Sequence, residues 1–244
     1  MARKPQSDDA RAKKRDAILE AAMTVFEAGG LDALSFRRLA TEMDLSYSAP
    51  YRYFANKDEL VNALRARSFR WIERAMLDAI TGIDDPEVAL EALAGAYIAS
   101  GIGRPDRYAL MFFRLDDTEI ARRSLELKAA RRDALDVCTR TIAAAQARGL
   151  LPDHIDPLTA AHLFWIGAHG LVSLQVAGQF VVGRDIALLV PTLIRSLRAG
   201  LEHFHETPAT RRATVRSEES DHASSQRSAD RDPDSPAHPV RIPG

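Results

Sequence analysis

Two histidines and a tryptophan are the side chains best suited to chemistry in this sequence, and they share a stretch that carries no charge. No Asp, Glu, Lys or Arg occurs between Asp156 and Arg184, and the stretch contains His162, Trp165 and His169. In a helix the two histidines share a face but lie two turns, about 10 Å, apart. One small metal ion cannot bridge that distance, and the i, i+4 spacing of helical zinc ligands is absent. We therefore predict no metal site here.

The remaining motifs give no indication of catalysis. The sequence has no Gly-rich phosphate loop, no paired-cysteine site and no HExxH pattern. Its single cysteine, Cys138, falls on an apolar helical stripe, where a small buried core residue is the expected interpretation. No nucleophile is paired with a base. We therefore expect that the protein is not an enzyme and needs no cofactor.

The same histidines and tryptophan have a second interpretation, as part of a ligand cavity. Buried His and Trp side chains need hydrogen-bond partners, and cavities are mostly apolar with a few polar groups. Core packing is the alternative for any one of these residues. For the cluster we predict a ligand-binding site. Its residues are Tyr97, Tyr108, Met111, Phe112, His162, Trp165 and His169.

The stretch from residue 35 to residue 57, SFRRLATEMDLSYSAPYRYFANK, predicts two short helices joined by a turn. Ser35 is suited to cap the first helix, and Asp44 fills the turn. Pro50 has no N–H and fits only near a helix start, so the second helix is predicted to begin near Ser48. Two helices joined in this way form the unit that lays its second helix in a DNA major groove.

The residues of this stretch also resemble a known family. The runs RRLA, LS, YRYF and NKDEL, at residues 37–40, 45–46, 51–54 and 56–60, are similar to the DNA-binding domain of TetR-family transcriptional regulators. Where that family usually has glycine in the turn, this sequence has Asp44. Aspartate tolerates a left-handed backbone better than most residues do.

The resemblance implies roles for side chains in and before the second helix. Arg37 is expected to reach a base edge, Tyr47 and Ala49 to touch bases, and Tyr51 and Lys57 to hold phosphates. For Tyr51 a core position beside the following phenylalanine is the alternative, and for the lysines near residue 13 it is a solvated charge cluster. The candidate DNA-binding residues are Lys13, Lys14, Arg37, Ser46, Tyr47, Ser48, Ala49, Tyr51, Arg52 and Lys57.

A second resemblance covers the uncharged stretch. Trp165 and the pair His169-Gly170, with PDRY at residues 105–108 and LMF at 110–112, are similar to the WHG-type C-terminal regulatory domain of some TetR-family proteins. This resemblance extends to about residue 204. It implies a regulatory body without indicating which effector binds there.

The helical periodicity predicts an all-α chain. The resemblance implies an N-terminal helix-turn-helix DNA-binding domain and a larger helical ligand-binding and dimerisation domain. We expect a disordered basic arm (1–12), the DNA-binding domain (13–60), the regulatory domain (61–205, with a connecting helix at 61–80) and a disordered tail (206–244). Later helices are predicted to start at Asp85-Pro86, Asp116, Asp156-Pro157 and Asp185, with Pro191 kinking the last one.

Composition limits the cell compartment and the partners. The chain has 244 residues, a formal net charge of −1 and one cysteine. A single cysteine suits a reducing cytosol, and no apolar run follows the basic N-terminus as in a signal peptide. The uncharged stretch is long enough to span a bilayer, but its histidines, glutamines and glycines favour a buried helix. We therefore expect a cytoplasmic protein without a membrane partner.

The resulting hypothesis is a homodimeric, sequence-specific regulator of transcription, in this family most often a repressor. It would bind a palindromic operator in double-stranded DNA and be released by a small apolar or aromatic effector. Two alternatives stay open. One is a ligand-independent DNA binder or protein–protein adaptor, and the other is an α-helical enzyme with a vestigial DNA-binding head.

Overall fold

The computed structural model describes residues 8–112, 124–180 and 186–202, and every regular element within these ranges is helical. The α-helices are α1 (Asp8–Ala33), α2 (Phe36–Glu42), α3 (Lys57–Ile80), α4 (Pro86–Gly103), α5 (Pro105–Phe112), α6 (Leu125–Ala147), α7 (Pro157–Val176) and α8 (Ile186–Glu202). A 3-10 helix at Pro50–Arg52 lies between α2 and α3. The predicted all-α fold is confirmed.

The first helix begins at Asp8, before the predicted start at Lys13, so residues 8–12 are helical and not a disordered arm. The carboxylates of Asp8 and Asp9 in the first turn interact favourably with the positive end of the helix dipole. The Lys13 Nζ pairs with Asp9 Oδ2 at 2.9 Å. Gly30 has φ 69° and interrupts the helix. Residues 1–7 lie outside the described residues.

The first half of the helix-turn-helix forms as predicted. The Arg38 N–H donates to the Ser35 hydroxyl at 3.2 Å, so Ser35 caps α2. Asp44 adopts φ 50°, the left-handed conformation expected of the turn. These two residues fix where α2 starts and where the chain leaves it.

The second α-helix predicted to begin near Ser48 does not form. Residues 46–52 make a turn and a 3-10 helix instead. The Ala49 N–H donates to the Ser46 carbonyl at 2.9 Å, and the 3-10 helix follows without a side-chain cap. Pro50 cannot donate a backbone bond to that carbonyl, so the turn before it cannot continue as an α-helix. Pro50 itself is buried and anchors the segment.

The connecting helix α3 ends at Ile80 as predicted. Asn56 caps its start by accepting from the Glu59 N–H at 2.8 Å, and the Glu59 carboxylate accepts from the Ala55 N–H at 2.7 Å. This reciprocal arrangement resembles a capping box. The N-terminal part of the chain, from α1 to the start of α3, has its own hydrophobic core and is called the head here. Side chains from the first two turns of α3 pack in this core, and so does Leu110 of α5. The core residues that α3 contributes are Leu60, Val61, Ala63 and Leu64.

The body consists of α3 to α8, and its helix starts follow the predicted caps. Asp85 accepts from the Glu87 N–H at 2.9 Å, and Asp156 accepts from the Thr159 N–H at 2.8 Å. The helix α4 passes through Gly101 and ends at Gly103. A Cβ at position 101 would lie 2.5 Å from Val172 Cγ1, so this glycine lets α4 and α7 approach closely.

The helix α6 starts at Leu125, with Ser124 as its cap. The predicted start at Asp116 lies outside the described residues. The expected inward stripe is confirmed at Leu127, Ala134, Cys138 and Ile142, which are buried. Burial raises the pKa of the Cys138 thiol to about 12, so this cysteine is a packing residue and not a reactive thiol.

The last helix, α8, packs on α7 through part of its apolar stripe. Gly167 of α7 makes room for it: a Cβ there would lie 2.9 Å from Leu197 Cδ1 and 3.2 Å from Leu193 Cδ1. Pro191 lies within the helix. The predicted start at Asp185 and the predicted tail lie outside the described residues. Among the described helices, none is long and apolar enough to cross a membrane.

Candidate DNA-binding surface and ligand cavity

Most of the predicted DNA-binding side chains of the turn region lie on the surface. The side chains of Phe36, Pro50 and Phe54 are buried beneath them. Two predicted residues, Lys14 and Ala49, are half-buried. The exposed ones are Lys13, Arg37, Ser46, Tyr47, Ser48, Tyr51, Arg52 and Lys57.

Two tyrosines dominate the exposed surface of the turn. The side chains of Tyr47 and Tyr51 are 60% and 47% exposed, so Tyr51 is not the core aromatic of the alternative interpretation. The Tyr51 ring packs edge-on against the Phe36 ring, with 4.5 Å between the ring centroids. This contact fixes the orientation of Tyr51 on the head. A hydrogen bond with Tyr47 raises the pKa of Tyr51 above its ordinary value. A tyrosine hydroxyl is protonated at neutral pH and can donate a hydrogen bond.

Backbone contacts hold the basic side chains at the edges of this surface. The Lys57 Nζ donates to the Leu31 carbonyl at 2.7 Å, which keeps the ammonium at the start of α3. The Arg11 guanidinium donates to the Arg52 carbonyl at 3.4 Å, so the start of α1 lies beside the 3-10 helix. Lys13 already pairs with Asp9, and a phosphate contact there would compete with that pair.

Ion pairs connect the head to the body, and sequence reasoning missed them. Glu126 at the start of α6 accepts from Arg15 of α1 at 2.6 Å and from Arg70 of α3 at 2.9 Å. Glu27 of α1 accepts from Arg107 of α5 at 2.6 Å. Burial alone would raise the pKa of Glu126, but the two arginines outweigh it and hold that pKa below the ordinary value.

The body encloses a cavity of about 730 Å³ between α3, α4, α5, α6 and α7. A volume of this size is typical of small-molecule sites. Most of its lining is aliphatic or aromatic, with a few polar and basic side chains. The lining includes Arg65, Phe69, Met76, Tyr97, Arg131 and Trp165.

The cavity includes five of the seven predicted ligand-binding residues. Tyr97, Met111, Phe112, His162 and Trp165 are among the residues that line it. Tyr108 and His169 are not. Tyr108 is completely buried behind Tyr97, so its position in the lining was wrongly predicted. His169 lies next to Tyr108 in the same layer.

Tyr108 and His169 belong to a hydrogen-bond network behind the cavity wall. The Trp165 Nε1–H donates to the Tyr97 hydroxyl at 3.1 Å, and the Tyr97 and Tyr108 hydroxyls lie 3.0 Å apart. The Tyr108 hydroxyl lies 2.6 Å from His169 Nδ1. Burial raises the pKa of Tyr97 to about 12 and lowers the pKa of His169, so the network is neutral. It holds two cavity-lining rings, Tyr97 and Trp165, in fixed positions.

His162 forms a separate contact on the same helix. Its Nδ1 lies 2.8 Å from the Leu158 carbonyl, one helical turn earlier, and its ring meets Trp165 at 6.2 Å between centroids. No group of three His, Cys, Asp or Glu side chains suited to a metal ion occurs within residues 8–112, 124–180 and 186–202.

Acidification is expected to destabilise the body through His169. Because the folded pKa lies below the ordinary 6.5, the unfolded chain binds more protons once the pH falls below about that value. The free energy of unfolding should therefore decrease as the pH falls through this window. We expect His169→Gln to show a flatter dependence than the parent in urea denaturation between about pH 7 and about pH 5. His162→Gln is the matched control, and equal slopes for the parent and His169→Gln would contradict the prediction.

The geometry of the head defines the class of protein. A capped helix, a left-handed turn and an exposed basic and aromatic surface beyond it form a helix-turn-helix unit, and the body carries a cavity of ligand size. This combination is that of a DNA-binding transcriptional regulator.

Comparison with known proteins gives the family. Residues 18–64 match the family described as "Bacterial regulatory proteins, tetR family". Residues 90–197 match "Tetracyclin repressor-like, C-terminal domain", and this range includes the Trp165 and His169-Gly170 motif. The chain belongs to the TetR family of transcriptional regulators, and the predicted family is confirmed.

Individual relatives agree with this assignment. The chain is 29% identical over 192 residues to the HTH-type transcriptional regulator Rv0681 of Mycobacterium tuberculosis, covering 77% of this chain and 81% of the relative. It is 27% identical over 144 residues to the transcriptional repressor NicS of Pseudomonas putida, covering 59% of this chain and 68% of that protein. A solved structure from Rhodococcus sp. RHA1 superposes with a TM-score of 0.67 at 26% identity, covering 77% and 94% of the two chains.

Proposed function

We propose that this regulator is a repressor that binds a near-palindromic operator as a homodimer and is released by a small, largely apolar effector. The observation that carries the proposal is the position of the cavity directly against the DNA-binding head. Leu64 and Leu110 belong to the head core, and the next residues along the chain, Arg65 and Met111, line the cavity. The repressor NicS among its relatives supports the sign of regulation.

In this proposal the exposed side chains of the turn read the operator. Arg37 donates to a base edge, in the bidentate manner in which a guanidinium meets guanine. Tyr47 contacts bases, while Tyr51 in the 3-10 helix and Lys57 at the start of α3 hold phosphates. The contacts that position Tyr51 on Phe36 and Lys57 on the Leu31 carbonyl support these roles.

Dimerisation involves α7 and α8. TetR-family regulators act as dimers, and these two helices carry four large exposed apolar side chains among the described residues. Those side chains are Leu158, Ile166, Leu174 and Leu188. Their exposure supports an interface on this side, where two subunits would present their heads to two half-sites of one operator.

Two connections would carry the effect of a ligand to the head. The first consists of adjacent residues on α3 and α5. Leu64 and Leu110 pack in the head core, and the residues that follow them, Arg65 and Met111, would contact the ligand. The second runs through Glu126 at the start of α6 to Arg15, whose guanidinium lies 5.0 Å from the Phe54 ring centroid beneath the turn. A ligand that binds better to the state with a different head position releases DNA by that difference in affinity.

The DNA surface is tested with two substitutions that should fail in different ways. Arg37→Ala is expected to cost about 1–3 kcal/mol of operator binding and to relax base preference, because a base contact is lost. Lys57→Ala should weaken all duplexes equally and lower the slope of log affinity against log salt by about one, because a phosphate contact is lost. Fluorescence anisotropy with operator and scrambled duplexes, at several salt concentrations, measures both.

Arg140→Ala is the control for loss of one positive charge. Arg140 is an exposed residue of α6 that pairs with Asp136 at 3.2 Å. It lies in the body, so its replacement should leave operator affinity unchanged. If Arg37→Ala and Lys57→Ala bind operator as Arg140→Ala does, the DNA-binding face lies elsewhere on the head.

A further inference from the structure

Four aromatic rings in the cavity lining are in contact one after another. They belong to Phe69 of α3, Phe112 of α5, and Trp165 and His162 of α7. The ring centroids lie 5.5 Å apart for Phe69 and Phe112, and 6.1 Å apart for Phe112 and Trp165. Those of Trp165 and His162 lie 6.2 Å apart. These four residues, which connect three helices along the cavity, are called the aromatic row here.

The polar atoms of the aromatic row are mostly bonded within the protein. The Trp165 Nε1–H donates to the Tyr97 hydroxyl at 3.1 Å, and His162 Nδ1 lies 2.8 Å from the Leu158 carbonyl oxygen. The two phenylalanines have no polar side-chain atoms, and only Nε2 of the histidine remains. The aromatic row therefore offers a ligand mainly ring carbon atoms, whose interactions are apolar contact and the attraction of the ring quadrupoles.

The rings of the aromatic row are inclined to one another and do not stack face to face. The angle between ring planes is 81° for Phe69 and Phe112, and 41° for Phe112 and Trp165. It is 70° for Trp165 and His162. A planar aromatic ligand can add its own edge-to-face or offset contact to such a row. A saturated molecule of the same size gains the apolar contact but has no ring quadrupole.

A cation is the other kind of ligand that aromatic faces attract. At one end of the row this interaction is already made within the protein. The Arg131 guanidinium carbon lies 5.7 Å from the centroid of the Phe69 ring, and Arg131 itself lines the cavity. A cationic ligand would compete with this guanidinium for the ring and be repelled by it. An uncharged aromatic ligand meets no such competition.

We propose that the effector is an uncharged molecule built on a planar aromatic ring system, which the aromatic row binds through ring contacts. Aliphatic side chains, among them Ile72, Met76 and Leu93, provide apolar surface elsewhere in the lining. A cavity of about 730 Å³ has room for a fused ring system with substituents. The inference rests on the proposed function for the role of effector, and it narrows the apolar effector of that proposal to one chemical class.

Three two-ring probes test the proposal by isothermal titration calorimetry on the full-length protein at neutral pH. Naphthalen-2-ol and decahydronaphthalen-2-ol have the same carbon skeleton and hydroxyl group, but only the first is aromatic and planar. Naphthalen-2-ol is expected to bind at least about tenfold more tightly, because it forms ring contacts with more than one member of the row. N-methylquinolinium, an aromatic cation, should bind more weakly than naphthalen-2-ol. Equal affinities of the two alcohols, no binding of either, or tightest binding of the cation would overturn the proposal.

Variants assign the preference to the aromatic row. Phe112→Leu removes the ring that contacts both Phe69 and Trp165, and should lower the affinity ratio of the two alcohols to about threefold or less by weakening naphthalen-2-ol alone. Phe69→Leu should act in the same direction to a smaller extent, and it serves as the test if Phe112→Leu does not fold. Met76→Leu is the matched control, since it changes a lining residue without a ring at nearly constant volume and should keep the parent ratio. A ratio that stays at the parent value in both phenylalanine variants would overturn the assignment.

The inference and the proposed function fail separately. If calorimetry shows the aromatic preference while Arg37→Ala and Lys57→Ala bind operator as the parent does, the aromatic site stands and the assigned DNA-binding face falls. If the two alcohols bind equally well and release the operator equally well, the release mechanism stands and the aromatic class of effector falls.

Discussion

Replacing Ile166 and Leu188 together with glutamate is expected to convert a dimer into a monomer and to weaken operator binding by about a hundredfold or more. Their side chains are 61% and 65% exposed, so the carboxylates remain hydrated in the isolated subunit and should not unfold it. In a dimer interface the same carboxylates would be buried without a partner, at a cost of several kcal/mol. Sedimentation equilibrium measures assembly, and anisotropy measures operator affinity.

Leu125→Glu is the matched control, because Leu125 is a 79% exposed apolar residue at the start of α6. It should leave both assembly and operator affinity unchanged. Leu193 of α8 is less suitable as a probe, because its side chain packs beside Gly167 of α7 within the subunit. A parent protein that sediments as a monomer, or a double variant that stays dimeric, would contradict the proposed interface.

Local chemistry explains which parts of the fold could be predicted from the sequence. Ser35, Asp85 and Asp156 each cap a helix, because a cap depends on a side chain and a backbone N–H only two or three positions away. The left-handed turn at Asp44 is equally local. At Pro50 the prediction was wrong. Its missing N–H predicts the start of an α-helix near Ser48, whereas the segment forms a single 3-10 turn at Pro50–Arg52.

The start of α1 shows a different kind of error. The basic composition of residues 1–12 predicts a disordered arm, but the helix starts at Asp8, with Asp8 and Asp9 in its first turn. Acid in the first turn stabilises the dipole whether or not an apolar stripe follows. A search for apolar periodicity alone therefore places the helix too late.

The cavity could be predicted only in part, because a helical face does not show what lies opposite it. Tyr97, Met111, Phe112, His162 and Trp165 were found from their chemical type. Tyr108 and His169 have the same types but bond to each other one layer behind the wall. Arg65 was missed, since arginine is rarely so buried and nothing in its neighbourhood along the chain marks it as part of a cavity. The ion pairs of Glu126 join residues too distant in sequence for any local pattern.

Replacing Trp165 with alanine is expected to lower the free energy of unfolding by about 3 kcal/mol and to abolish the response to effector. The ring contributes to the cavity wall, meets Phe112 at 6.1 Å between centroids and donates to the Tyr97 hydroxyl. Its loss both leaves a void and removes one donor from a buried network. Urea denaturation measures the first effect, and operator release by the effector measures the second.

Trp165→Phe separates these two effects, because it keeps most of the volume and loses only the indole N–H. It should cost about 1 kcal/mol of stability and retain operator release. In a Trp71→Phe background, Trp165 is the remaining tryptophan of the chain, so its fluorescence should change over the same concentration range that releases the operator. Reciprocity adds a further requirement: saturating operator must weaken effector binding by the factor by which effector weakens operator binding. An effector that releases the operator while Trp165 fluorescence stays constant, and that still acts on a folded Trp165→Ala variant, would have its site outside this cavity.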